Sequence, residues 1–235
     1  GMDLSHYRAA GALRDGTPII IRAIQPEDDE ALREGFSLLS DQTIYHRFFQ
    51  AKRDLAEHEL RYLTQLDFVD HVGLAAVISN PAGEFIIGVG RFVRLGSGRA
   101  GVRGVERDRT PAHAEVAFVV GDEFQGQGVG SQLLAHLVGI ARGLGIRYLE
   151  AEVMPENRAM MAVFRRGGLP ITEAAHEGVL HVELRLEDGA EVGDGGTGGR
   201  GNGGRGSGGR GEGGNAGTRQ RGTGGGGEWG GGGWR

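Results

Sequence analysis

The chain has 235 residues, a formal net charge of −5 and no cysteine. Its acidic balance argues against a nucleic-acid-binding core and suits a cationic substrate, because a negative surface repels phosphate and attracts amines. The absence of cysteine excludes disulfides, thiolate catalysis and cysteine-ligated zinc. No apolar run approaches the roughly 20 residues of a membrane span and no signal peptide opens the sequence, so we expect a cytoplasmic protein without membrane contact.

Composition divides the chain at residue 188. Residues 1–188 have ordinary globular content, which is enough for one core of mixed architecture. Residues 189–235 are rich in glycine and arginine and contain both tryptophans of the chain, Trp229 and Trp234. Such a segment buries too little apolar surface to offset its ordering entropy, so we predict a disordered tail. Two roles stay open for this tail: RNA contact through arginine charge and tryptophan stacking, or passive solubilisation.

Hydrophobic periodicity, cap residues and turn residues predict a chain in which strands and helices alternate. In chain order we predict a strand at 17–24, helices at 26–39, 40–49 and 55–66, strands at 71–79, 85–95 and 113–120, a helix at 129–142, a strand at 148–153, a helix at 156–166 and a strand at 179–186. A polar loop is expected at 96–111. The order of elements indicates an α/β (α+β) domain without internal repeats.

The most informative stretch joins the strand at 113–120 to the helix at 129–142. It is a glycine-rich turn that leads directly into a helix, with the sequence Gln125-Gly126-Gln127-Gly128-Val129-Gly130-Ser131. Glycines let a polyanion approach the backbone, and the first N–H groups of a helix face it with the positive end of the helix dipole behind them. The turn therefore predicts a phosphate-binding site.

Two other kinds of phosphate loop are alternatives for this turn. A P-loop needs a Lys-Ser/Thr pair, and none follows these glycines. A dinucleotide-binding fold stays open, because Glu150 lies about 20 residues beyond Gly130, where an acidic ribose partner would be expected. Its glycine spacing differs, however, and a dinucleotide fold turns almost immediately after the strand.

Several stretches resemble one enzyme family. The spacing Gln125-X-X-Gly128-X-Gly130 resembles the signature of the GNAT acyltransferase superfamily, and residues 157–169 resemble that family's Asn-X3-X3-Tyr-X3-Gly-Phe stretch. Residues 21–28, 45–49 and 63–67 resemble the acetyltransferase domain of bacterial Pat-type protein lysine acetyltransferases. The similarity covers about residues 12–186. It implies a GNAT fold, with a mixed, mostly antiparallel central sheet flanked by helices, and acetyl-CoA as co-substrate.

The resemblance also implies residues that bind acetyl-CoA. The pyrophosphate would lie on the turn from Gln125 to Ser131, and the acyl part would lie beside the strand residues Phe118, Val119 and Val120. A backbone N–H of that strand would stabilise the developing oxyanion. Asn157 would contact the pantetheine arm, and Phe164 would pack beside the cofactor. Without the resemblance, Asn157 is read as a helix cap and Phe164 as a core residue.

The reaction of an amine with a thioester needs a base, because an alkylammonium with a pKa near 10.4 has no lone pair. Glu115 is the candidate, since Ala114-Glu115-Val116-Ala117 resembles the Ala-Glu-X-Ala segment that carries the base in Pat-type enzymes. Its place in an apolar strand predicts partial desolvation and a raised pKa. A solvated strand-end carboxylate is the alternative reading, and Glu152 is the reserve base. Many GNAT enzymes use a Tyr as general acid where this chain has Phe164.

The sequence thus predicts an acetyl-CoA-dependent N-acetyltransferase that modifies a primary amine, preferably a protein lysine. The resemblance to Pat-type enzymes makes an acyl-CoA synthetase a candidate acceptor. The alternatives are a small-molecule amine acetyltransferase, a non-catalytic sensor of acyl-CoA, and an RNA-binding protein that uses the tail. We predict no metal, because the eight histidines show no His-X3-His or His-Glu-X-X-His spacing.

Overall fold

A computed structural model describes residues 3–96 and 112–186. They form one eight-stranded sheet with the order β1-β2-β3-β4-β5-β6-β8-β7. The strands are β1 (Arg8–Ala12), β2 (Pro18–Ala23), β3 (His71–Asn80), β4 (Gly83–Arg94), β5 (His113–Val120), β6 (Tyr148–Val153), β7 (Ile171–His176) and β8 (Val179–Arg185). The helices are α1 (Asp29–Ser37), α2 (Asp41–Phe48), α3 (Glu57–Thr64), α4 (Val129–Gly143) and α5 (Arg158–Arg166). Within this part of the chain, no helix is long and apolar enough to cross a bilayer.

The predicted sheet architecture is confirmed. Strands β5 and β6 run parallel, whereas the other neighbouring pairs of the sheet run antiparallel. The predicted loop at 96–111, apart from its first residue, and the predicted tail at 189–235 lie outside the described residues.

Two strands were not predicted, β1 and β7. The sequence of β1 is Arg-Ala-Ala-Gly-Ala, which lacks the β-branched and aromatic residues that mark a strand. The side chains of β7 are mostly exposed, and its sequence, Ile-Thr-Glu-Ala-Ala-His, does not alternate between apolar and polar residues. Both strands lie at the edges of the sheet and are held by pairing with β2 and β8. Pairing of this kind is tertiary information that local pattern does not carry.

The sheet buries both of its faces against helices. One core contains α4 residues such as Leu133 and Leu137, one turn apart on the buried side of the helix. The other core contains residues of α1, α2 and α3. Alternation along β5 sends Ala114 and Phe118 into the first core, and the intervening Glu115 projects toward the side of α1, α2 and α3.

Strands β5 and β6 pair over only three residues of each strand. The parallel register runs from His113 with Tyr148 to Glu115 with Glu150, and pairing stops there. Beyond this point β5 continues to Val120 along β4, while β6 continues along β8. The two strands therefore separate toward their carboxyl ends, which is the edge where the glycine-rich turn begins.

Lys52 is the only lysine of the sequence and lies between α2 and α3. Its Nζ is 2.7 Å from the Glu59 carboxylate and 5.6 Å from the centre of the Phe48 ring. Only 16% of the Lys52 side chain is exposed. The ammonium group is thus ion-paired and covered by neighbouring side chains.

Candidate active site

The glycine-rich turn contains two residues in the left-handed region. Gly126 has φ of 76° and Gly128 has φ of 88°, conformations that residues with a Cβ rarely adopt. Gly128 is the N-cap of α4, and the first turn of that helix contains no acidic side chain. The positive end of the helix dipole is therefore not offset by a carboxylate of its own first turn, which suits an anion.

Hydrogen bonds tie this turn to other elements. The Gln125 Nε2 donates to the Val120 carbonyl at 3.1 Å and to the Thr43 hydroxyl of α2 at 3.3 Å. The Gln127 carbonyl accepts from the Arg14 backbone N–H at 3.1 Å. The amide of Gln125 therefore positions the turn in this structure, and the turn offers a ligand its backbone.

At the start of α4, some residues pack against neighbouring side chains and others are exposed. The Val129 side chain is buried in the core. A Cβ added at Gly130 would lie 3.2 Å from the Val163 side chain, so this glycine allows α4 to approach α5 closely. A Cβ at Gly126 would meet no atom within 4 Å. Ser131 is exposed in the first turn, so open space for a ligand lies at Gly126 and beside the first turn of α4.

The predicted cofactor contacts at Phe118 and Phe164 lie in the core. Phe118 is 4% exposed and Phe164 is 1% exposed, and their ring centres are 5.9 Å apart. Gly90 makes room for this pair, because a Cβ there would come within 2.7 Å of the Phe118 ring. The Asn157 side chain caps α5 by accepting from the Met160 N–H at 3.2 Å. Side chains of this group thus maintain the fold, and their contact with a cofactor remains a prediction.

Glu115 stands where β5 and β6 stop pairing. Burial raises the pKa of its carboxyl above the usual range, and the charges of Glu152 and Glu150 raise it further. The nearby Arg47 guanidinium opposes these effects. The structure therefore provides the raised pKa that the sequence predicts for this residue, because the side chain is half-buried among other carboxylates.

Two arginines, one buried and one partly buried, were not predicted as site residues. Arg91 of β4 is 5% exposed, and its Nη1 lies 2.9 Å from His71 Nε2. Because a guanidinium only donates, the His71 ring accepts this bond. Burial and the Arg91 charge lower the pKa of His71 to about 3, so the ring is neutral at pH 7. Burial lowers the pKa of Arg91 to about 9 and that of Arg47 to about 10, which leaves both cations charged.

Both arginines line an open pocket between the helices α1, α2 and α3 and the strands β4 and β5. We call it the arginine pocket. Its cavity volume is about 70 Å³, it opens to solvent, and its other lining residues are mostly apolar. Ala117 and Val119 contribute from β5, and they alternate on the same face of that strand as Glu115. An arginine inside the apolar run of β4 was the sequence signal for this pocket.

Three strands bring together one cluster with metal-binding side chains. His113, Glu150 and Glu183 offer ligand atoms that all lie within 4.8 Å of one another. His113 Nδ1 is 2.7 Å from a Glu150 oxygen, so the pair already forms a hydrogen bond. Sequence spacing could not reveal this arrangement, since it depends on the register of β5, β6 and β8. The prediction that the protein needs no metal remains a prediction.

Comparison with known proteins relates this geometry to one family. The profile described as Acetyltransferase (GNAT) domain matches residues 19–170. The acetyltransferase Pat of Mycolicibacterium smegmatis is 33% identical over 156 residues, which make up 66% of this chain and 42% of that relative. The chain therefore spans less than half the length of this relative.

The chain is also similar to solved structures of acetyltransferases. The crystal structure of the GNAT domain of S. lividans PAT is 37% identical, with a TM-score of 0.65, and the match covers 76% of this chain and 97% of that one. An acetyltransferase from Salmonella typhimurium, solved with acetyl-CoA, shares the fold at 18% identity and a TM-score of 0.52, over 73% of this chain and 96% of that one.

Proposed function

The chain belongs to the GNAT acetyltransferase family, as its sequence resemblance predicted, and we propose on this premise that it transfers an acetyl group from acetyl-CoA to a primary amine. The observation that carries the proposal is the position of Glu115. Its carboxylate lies where β5 and β6 separate, and β5 continues from there to the turn that can hold a pyrophosphate. A carboxylate with a raised pKa is a better base near neutral pH than an ordinary one.

The residues present fit acetyl-CoA. Gly126 and Gly128 give a backbone that a phosphate can approach, and the first turn of α4 has no acidic residue to repel it. When bound, acetyl-CoA supplies an acyl group activated as a thioester. Glu115 accepts the proton of the incoming ammonium, which frees the nitrogen lone pair for attack on the carbonyl carbon. A C–N bond forms, the C–S bond breaks, and the second proton that the nitrogen loses as the amide forms passes to solvent water.

Two further groups complete the mechanism. A backbone N–H of Phe118, Val119 or Val120 would donate to the carbonyl oxygen as its negative charge develops. Phe164 has no acidic proton and is buried, so it cannot protonate the leaving thiolate. A thiol with a pKa near 8.5 leaves as an anion without that help. The absence of a tyrosine at this position is therefore compatible with turnover.

For the acceptor, we favour a lysine side chain of a protein. The support is the similarity to the Pat acetyltransferase of M. smegmatis and to the GNAT domain of S. lividans PAT, together with the Pat-like stretches of the sequence. An acyl-CoA synthetase is the first protein to test as acceptor. A small amine is the second class of acceptor, and a cytoplasmic location stays a prediction.

Thiol release from acetyl-CoA tests this proposal. The purified chain is assayed with an acyl-CoA synthetase, with lysine peptides and with small amines, beside a Glu115→Gln variant. We expect amine-dependent thiol release by the wild type, its strong reduction in the variant, and a mass increase of one acetyl group on the acceptor. Binding of acetyl-CoA without thiol release across the whole panel would contradict an enzyme and support a sensor.

A further inference from the structure

Helix α2 contacts the glycine-rich turn through its N-cap and its first turn. The Ser40 backbone N–H donates to the Asp122 carboxylate at 3.2 Å, and Asp122 lies between β5 and the glycine-rich turn. The Gln125 Nε2 donates to the Thr43 hydroxyl at 3.3 Å and to the Val120 carbonyl at 3.1 Å. The segment that we propose as the pyrophosphate site is therefore hydrogen-bonded to α2 at two points.

The same helix brings Arg47 to Glu115. Residues four apart lie on one face of an α-helix, so Thr43 and Arg47 project from the same side of α2. The Arg47 charge acts on the Glu115 carboxyl. Arg47 also lines the arginine pocket together with Ala117, which lies two residues beyond Glu115 on β5. One side of α2 thus contacts the turn at one end and interacts with the proposed base at the other.

The position of the Arg47 guanidinium follows the position of α2. Its Cζ lies 5.0 Å from the centre of the ring of Phe48, the last residue of the helix. A helix of eight residues is too short to be stable by itself. The placement of α2 therefore depends on tertiary contacts, which are Ile44 in the core and the hydrogen bonds at Ser40 and Thr43. We expect a change at Thr43 to alter where α2 places Arg47.

The other charged and titratable groups that act on Glu115 come from other elements. Glu150 and Glu152 project from β6, and Tyr62 of α3 lies in the field of the Glu115 carboxylate. The two glutamates raise the pKa of Glu115, and Arg47 lowers it. Displacement of Arg47 away from Glu115 would therefore raise this pKa.

We propose that Thr43 is a positioning residue for the reaction: it fixes α2 on the glycine-rich turn, and α2 thereby holds Arg47 beside the Glu115 carboxylate. The inference rests on the proposed function, because it concerns the base of that reaction. Thr43 acts through α2 and takes no part in the bond changes described above. One helix in this way connects the proposed cofactor site to the proposed base.

Substitutions at Thr43 test the contact. Thr43→Val removes the hydroxyl and keeps the branched shape, whereas Thr43→Ser keeps the hydroxyl. Gln42→Ala is the matched control on the same helix, because Gln42 is exposed and adjacent residues of a helix point in different directions. The pH–rate profile of kcat is measured at saturating acetyl-CoA with one small amine.

We expect the acidic limb of this profile to move to higher pH in Thr43→Val, as in Arg47→Met. On the limb, kcat should fall by about two- to fivefold. Above the limb, kcat should stay within about twofold of wild type, because the base is then ionised in both proteins. Thr43→Ser should restore the wild-type profile, and Gln42→Ala should leave it unchanged.

A double variant tests whether Thr43 acts through Arg47. When Thr43→Val is combined with Arg47→Met, the limb should move no farther than in Arg47→Met alone, since both changes act on the same guanidinium. A further shift in the double variant would overturn the inference. An unmoved limb in Thr43→Val with a higher KM for acetyl-CoA would also overturn it, because Thr43 would then support only the turn.

Asp122→Asn is the second variant if Thr43→Val does not fold. It weakens the other hydrogen bond between α2 and the segment of the turn. Loss of a negative charge would by itself lower the pKa of Glu115, so a limb that moves to higher pH reports the helix. A limb that moves to lower pH or stays in place in Asp122→Asn would contradict the inference.

The inference can also be measured without turnover. The Glu115 carboxyl is titrated by NMR in protein with ¹³C-labelled glutamate, and Glu115→Gln assigns its signal. The pKa of Glu115 should be higher in Thr43→Val than in wild type and in Gln42→Ala. If no amine is acetylated, the proposed function fails and this titration decides about Thr43. An equal pKa of Glu115 in the three proteins would overturn the inference, whether or not the protein acetylates an amine.

Discussion

Glu115 and Glu150 occupy the final paired position between the parallel strands β5 and β6, so their side chains project from adjacent strands on the same face of the sheet. Glu150 accepts a hydrogen bond from the His113 side chain at 2.7 Å, if the ring carries its proton on Nδ1. Glu115 lies in the field of Arg47 instead. The two carboxylates thus have different neighbours, and Glu115 lies on the strand face from which Ala117 and Val119 line the arginine pocket.

Replacement of Glu115 by Gln tests the base directly. The amide keeps the shape of the side chain but has no basicity, so turnover near pH 7 should fall by about 10² to 10⁴. Affinity for acetyl-CoA, measured by calorimetry, should stay the same. Because a raised pKa means that the ionised form is costly in the folded state, the melting temperature at pH 7 should not decrease. Recovery of part of the activity at high pH is expected, since more of the amine is then neutral. Wild-type turnover between pH 6 and 9 would assign Glu115 to a structural role.

Removal of single charges around Glu115 should move its pKa in opposite directions. Arg47 lowers that pKa, so Arg47→Met should raise it and shift the acidic limb of the pH–rate profile to higher pH. Glu152 raises the pKa, so Glu152→Gln should shift the limb to lower pH. Both profiles are measured at saturating acetyl-CoA with one small amine. Shifts in the same direction would contradict Glu115 as the titrating base, and loss of the limb in Glu152→Gln alone would point to Glu152.

Replacement of Gly128 by Val tests the phosphate-binding turn. A branched side chain at φ of 88° strains the turn and occupies the space beside the helix start. Acetyl-CoA affinity should fall by at least about tenfold in calorimetry, or about 1.4 kcal/mol. Gly145→Val is the matched control, because Gly145 has φ of 79° and lies beyond the other end of α4. Both variants should lose stability, and only Gly128→Val should lose affinity. Equal acetyl-CoA affinities of the two variants would contradict a phosphate site at this turn.

His71 should make the fold sensitive to acid. Its pKa is about 3 in the folded protein and about 6.5 in an unfolded chain. The unfolded state therefore binds more protons between these values, and stability that is complete above about pH 6.5 is lost as the pH falls toward 3. His71→Gln keeps an acceptor for Arg91 but does not titrate. Urea unfolding at pH 7 and pH 4.5 should show a smaller loss of stability in the variant than in the wild type. Parallel losses would show that His71 is not neutral in the fold.

The sequence predicted those elements of the candidate site that have a local signal, and the roles of their residues stay predictions. The apolar strand, the glycines and the helical periodicity lie within one short stretch, and alternation along β5 is enough to place Glu115 apart from the core. The packing of Gly130 against Val163 could not be predicted, because it depends on how α5 lies on α4. The arginine pocket could not be predicted from the sequence for the same reason. Arg47 and Arg91 are far apart in the chain and meet only when α2 packs on the sheet.

The single lysine has a practical consequence for a protein proposed to acetylate lysines. Lys52 is the only side-chain amine in the sequence, and its ion pair with Glu59 and its partial burial shelter the ammonium group from a second enzyme molecule. Preparations of the enzyme therefore contribute almost no acetyl-lysine of their own to an antibody blot or a mass spectrum. Acetyl-lysine detected in a mixture with a candidate acceptor can be assigned to that acceptor once the Lys52 peptide has been checked.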